Sequence, residues 1–285
     1  GAENIAMITD KAYSGVTEIT FKAMWTGNAT SARWGLSYTN DPSKFGLFYH
    51  GALMMRRGDV KEAKKTIGAR ITDYGKNPNT LPLTAMETHR VDSVLDTTDV
   101  SDLDDIRPIE EVFVPETPGK IVSDTGELWR DNAKRIGAVD TASTKAAYGF
   151  LSSAKPTSVA PDAGIVLDGM KIKCNTDFAT IALSTLTDKP IEDSDNMLLS
   201  TIGRSRSRGA QFDGEKMIEY GTGPIEVEVI HADITLKTSK EHLEVWAIDS
   251  DGFYSGRVDS VIEDGVLKFT VGEEFACMYY LILEP

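Results

Sequence analysis

The sequence predicts a mainly β fold, an antiparallel β-sandwich preceded by a short α/β segment, and three observations predict it. From Lys120 onward the chain runs as about a dozen short alternating segments separated by turn signals, the texture of a sandwich or barrel. Asp168-Gly169, Asp251-Gly252 and Asp264-Gly265 fall between such segments, where a tight hairpin needs residues that tolerate positive φ. Before about residue 70 the period changes, and one alternating run is followed by apolar residues at helical spacing.

Thr17 to Trp25 alternates, with Ile19, Phe21, Ala23 and Trp25 on one face, and reads as a strand. After a polar loop, Asn40-Asp41-Pro42 supplies an N-cap and a first-turn proline. Phe45, Phe48, Tyr49, Ala52 and Met55 then recur at helical spacing and are the expected buried stripe. Arg56 and Arg57 complement the helix dipole, and Gly58 ends the helix. Lys64 to Thr72 reads as a further strand and Leu83 to Leu95 as a short helix. Between Asp92 and Glu116 nine acids face the single base Arg107, as in a solvated linker. The expected organisation is an α/β segment over 1–70, an acidic connecting segment over 71–118 and the sandwich over 119–285.

At 285 residues the chain has ample length to bury a core without staples. A formal charge of −14 argues against a nucleic-acid partner, because 30 Lys and Arg are outnumbered by 44 acids, and it suits neutral ligands. No apolar run approaches the ~20 residues of a membrane helix, so no membrane partner is expected. No signal peptide is visible, and Gly1-Ala2 is compatible with a cloning remnant. Cys174 and Cys277 both lie in strand-like runs, compatible with one disulfide or with two buried thiols.

Motifs narrow the chemistry mainly by exclusion. GxSxG, GxGxxG and GxxxxGK[ST] are absent, which removes three common enzyme classes. His50, His89, His231 and His242 show no metal-ligand spacing and read as structural or surface residues, so neither a metal nor a cofactor is expected. Asp249-Ser250-Asp251-Gly252 starts like a calcium loop but continues with Phe253, which favours a hairpin turn. Glycoside hydrolysis needs paired carboxylates. Asp124 with Glu127, Glu192 with Asp193 and Asp195, and Asp249 with Asp251 all fall at turns, where acids are favoured anyway, and none is taken as catalytic. Arg204, Arg206 and Arg208 form a basic cluster that either grips a carboxylate ligand or pairs with nearby acids. Trp25, at a strand end before a polar loop and a helix, either closes a core or stacks on a sugar at a barrel mouth. Trp34 and Asn28 in that loop share the ambiguity.

The stretch WGLSYTNDPSKFGLFYHGALMMRRGDVKEAKKT resembles the end of the (β/α)8 catalytic barrel of large secreted bacterial glycoside hydrolases. VSDTGELWRD, DTASTKAAYGFL and ALSTLTDKPIEDSDNMLLSTIGRS resemble the β-sandwich that follows such barrels. One departure is Ser207-Arg208-Gly209, where the family pattern has an Asn-Thr-Gly-like turn. The resemblance implies a C-terminal, non-catalytic part of a polysaccharide-degrading enzyme whose acid/base and nucleophile glutamates lie upstream. It implies an extracellular or cell-surface location, carbohydrate and the enzyme's N-terminal part as partners, and Trp25, Trp34 and Asn28 as substrate-binding residues. The alternatives are a stand-alone carbohydrate-binding module, using aromatics such as Trp129, Trp246, Tyr254 or Tyr280, and a structural protein that pairs with another chain.

Overall fold

The computed structural model describes residues 42–71, 84–95, 103, 105–112, 119–214, 216–219, 221–222 and 224–285. The chain divides into two compact units, one of residues 1–59 and 142–285 and the other of Val60–Thr141. These boundaries differ from the periodicity-based ones at 70/71 and 118/119. Periodicity registers a change of local pattern, whereas a unit is defined by which segments share a core.

Among the described residues of the first unit, helix α1 (Pro42–Arg57) begins at the proline and stops at Gly58, which takes φ +65°. The buried side of α1 is not the stripe expected from sequence. Tyr49 and Met55 are 53% and 61% exposed, and Ala52 is exposed as well. Gly46, Leu47, His50, Gly51 and Met54 are buried instead. The reason lies in the sheet beneath, which presents small polar residues to the helix.

Within Val60–Thr141, β1 (Thr66–Ile71), β2 (Arg90–Leu95) and β3 (Asp105–Pro108) form a parallel sheet in the order β2-β1-β3. Helix α2 (Thr84–Thr88) occupies only part of the expected helix at Leu83–Leu95, whose second half is the strand β2. Strand β3 and helix α3 (Ile109–Val112) arise inside the segment expected to be a linker. Their apolar residues decide this outcome, because Ile109 and Val112 bury with Ala69 against Ile67, Ile71, Ala85 and Val91. β4 (Lys120–Val122), β5 (Leu128–Asp131) and β6 (Ile136–Asp140) complete the unit as an antiparallel meander.

The remaining strands build the sandwich. One sheet takes β7 (Thr144–Gly149), β10 (Ala179–Thr185), β11 (Asn196–Ile202), β17 (Glu244–Ile248), β18 (Tyr254–Val258) and β21 (Tyr279–Leu283), hydrogen-bonded in the order β18-β17-β21-β11-β10-β7. The facing sheet takes β8 (Ile165–Leu167), β9 (Met170–Cys174), β16 (Ala232–Lys237), β19 (Ser260–Glu263) and β20 (Val266–Val271), in the order β19-β20-β16-β9-β8. Short pieces pair β12 (Ser205–Ser207) with β15 (Ile225–Val227) and β13 (Gln211–Asp213) with β14 (Lys216–Glu219). The Asp-Gly pairs close the hairpins β8-β9, β17-β18 and β19-β20, with each glycine at positive φ. The mainly β, antiparallel prediction therefore holds.

Register explains the core. In the facing sheet Ile234 pairs with both Ile172 and Phe269, and Leu236 with Met170 and Leu267, so alternate apolar residues fall on one inner face. Ile181, Leu183, Met197, Leu199, Tyr280 and Ile282 supply the opposite inner face, all nearly inaccessible. A direct link joins the sheets where the Gly272 amide, just past β20, donates to the Tyr280 hydroxyl at 3.1 Å. Tyr280 thus belongs to the core and cannot serve as an exposed sugar-stacking residue. Both cysteines are free thiols, and burial pushes Cys174 up to about 11.

Candidate functional site

Strand β10 is buried along its whole length, which a strand at a sandwich surface achieves only when its outer face is also covered. Antiparallel register sets Thr144, Ser184 and Ser200 on that outer face, since Ser184 pairs with Thr144 and Ser200 with Ala182. His50 of α1 lies on them. Its Nδ1 meets Ser184 Oγ and its Nε2 meets Ser200 Oγ, both at 2.8 Å. The helix approaches closely because Gly46 has no side chain; a Cβ there would lie 2.0 Å from Ile202 Cδ1.

The network continues to the end of the helix. Ser184 Oγ is 2.8 Å from Thr144 Oγ1, and Thr144 Oγ1 donates to Asp59 Oδ2 at 2.9 Å. Arg57 donates to both Asp59 carboxylate oxygens, at 2.9 and 2.6 Å, in a bidentate pair, and Arg57 Nη1 donates to the Thr185 carbonyl at 2.6 Å. Burial and the nearby Arg57 charge lower His50 to about 4, so it stands neutral, with one nitrogen donating and the other accepting. A buried histidine between two serines has no open face for substrate, and the arrangement works as a clamp that fixes α1 to the sandwich.

The other residues singled out by the sequence distribute as follows. Trp25, Asn28 and Trp34 lie outside the described residues. The arginine cluster resolves into ion pairs, Arg204 with Asp177, and Arg206 and Arg208 with Glu226. Of the acidic groups, Asp124 accepts from His89 and the Lys65 amide, and the His89 bond is the main cause holding its carboxyl below the usual range. Glu127 accepts from the Lys61 amide, Asp193 from Ser239, and Glu192 pairs with Lys237. Asp249 Oδ1 accepts from the amides of Asp251 and Phe253, a turn rather than a calcium loop. Among the described residues no three His, Cys, Asp or Glu side chains converge as a metal cage. Trp129 lies half-buried under Lys120, and Trp246 packs edge-on against the exposed Tyr254.

Sequence reasoning missed the clamp. Its signal was present: a histidine at the 47-50-51-54 helical spacing, and a single serine in each of the mainly apolar runs FATIALSTL and NMLLSTIG. A protein-family scan and searches of curated proteins and of solved structures returned no match. Among the described residues no helix is long and apolar enough to cross a membrane.

Proposed function

We propose that the chain is the C-terminal, non-catalytic part of a polysaccharide-degrading glycoside hydrolase, in which the sandwich buttresses the catalytic barrel. The observation that carries this reading is the clamp. The helix that resembles the last helix of a barrel is bound into the sandwich by a buried network, as a joint between two domains would require. A helix tied only by surface contacts would let the two parts move independently. The second stripe of α1, exposed at Tyr49 and Met55, is consistent with a helix that has a further layer to cover. In this reading the enzyme works outside the cell or at the surface of a bacterium, and its partners are carbohydrate and the upstream barrel.

The test has two arms. The isolated chain, assayed on aryl glycosides and polysaccharides, is expected to release no sugar, and enzyme-like turnover would overturn its non-catalytic assignment. The natural reading frame upstream is expected to encode the missing barrel strands with two strand-end glutamates. A frame that encodes an unrelated fold would remove the proposal.

A further inference from the structure

The β17-β18 turn borders a cleft in the sandwich unit that combines aromatic, hydroxyl and carboxyl groups. Its volume is about 370 Å³, within the ~300–1,000 Å³ typical of small-molecule sites. Ser250 and Ser255 contribute hydroxyls, Glu228 and Glu274 contribute carboxyls, and Phe275 contributes an aromatic wall. Gly256 makes room for that wall, since a Cβ there would fall 2.3 Å from Phe275 Cζ. Among the described residues no lysine, arginine or histidine lines the cleft, which disfavours anionic ligands.

The rim is rigid. Asp249 Oδ1 accepts from the amides of Asp251 and Phe253, while the Asp249 amide donates to the Phe253 carbonyl at 2.9 Å. This turn holds up Phe253, 70% exposed, with Tyr254 next to it at 59%. Phe253 and Tyr254, the latter edge-on against Trp246, present adjacent aromatic surface beside the cleft that a ligand can cover. Carboxyl and hydroxyl groups that accept and donate hydrogen bonds, next to flat apolar rings, are the combination that a sugar recognises: its hydroxyls bond at the edges and its C–H face stacks.

We infer that this cleft and the Phe253 turn form a binding subsite for a neutral glycan chain. The assignment rests on the polysaccharide reading above and adds to it a substrate-holding role for the sandwich itself. Anionic polysaccharides are excluded by the acidic lining.

Affinity electrophoresis of the whole chain in gels containing a soluble β-glucan, a xylan or a galactomannan tests this, with polygalacturonate as the anionic probe. At least one neutral polymer is expected to retard the protein. Phe253→Ala, at an exposed position, is expected to weaken that binding about tenfold. Glu274→Gln, also exposed, is expected to weaken it several-fold. Phe212→Ala, an exposed aromatic outside the cleft, is expected to leave it unchanged. Circular dichroism of each variant checks that it is folded. Retardation by none of the neutral polymers, retardation by polygalacturonate alone, or equal binding by all three variants would overturn the inference. Any of these results would leave the buttressing proposal standing, because that proposal fails on the turnover and reading-frame tests.

Discussion

The sandwich unit and the Val60–Thr141 unit solve the same problem with different means. The sandwich buries two extended apolar faces, and on the outer face of β10 and β11 it also buries a polar network that only one partner geometry satisfies. Val60–Thr141 relies on a small apolar cluster around Ala69, Ile109 and Val112, with much of its parallel sheet only half-buried. An apolar cluster tolerates several packings, whereas a satisfied hydrogen-bond network demands one. Specificity therefore has two sources in this chain: α1 is positioned by a buried hydrogen-bond network, and the smaller unit by an apolar cluster supplemented by partly exposed links such as His89 with Asp124 and the Lys61 amide with Glu127.

Disrupting the network at its charged end should do the most damage. Asp59→Ala leaves the nearly buried Arg57 guanidinium without its bidentate partner and is expected to cost about 3 to 5 kcal/mol in denaturant unfolding of the sandwich. Acid comes next. The unfolded chain's histidine titrates near 6.5 and the folded His50 near 4. Between these values the unfolded state binds more protons, so the stability that His50 contributes falls as pH drops from about 6.5 to about 4, and its own effect levels off below. The loss attributable to His50 is roughly 3 kcal/mol, and His50→Gln should flatten that part of the pH profile. The mildest change belongs to the other unit. Ile109→Ala is expected to cost about 2 kcal/mol in the Val60–Thr141 transition while leaving the sandwich transition in place. A loss of equal size in both transitions would erase the contrast between the units.

The sandwich was legible because alternation and Asp-Gly turns are local signals, and strands such as β9 and β20 express both. The clamp was not legible, because it depends on which face of α1 meets which strand. Phe48, Tyr49 and Met55 make an apolar stripe at helical spacing, while the sheet accepts Gly46, His50 and Gly51, whose face fits over Ser184 and Ser200. The parallel sheet was also hidden, since Ile106, Ile109 and Val112 are scattered among acids and their pairing with β1 is a long-range fact. Charge density predicted a linker there, and a few apolar residues outweighed it.

If the clamp makes α1 and the sandwich one cooperative body, native-state hydrogen exchange will register it, because amides that open together exchange with a common free energy. Amides in the last three turns of α1 are expected to share the protection of β10 and β11, and His50→Ala is expected to lower α1 first. Fast exchange throughout α1 beside a fully protected β10, unchanged by that substitution, would contradict such a body.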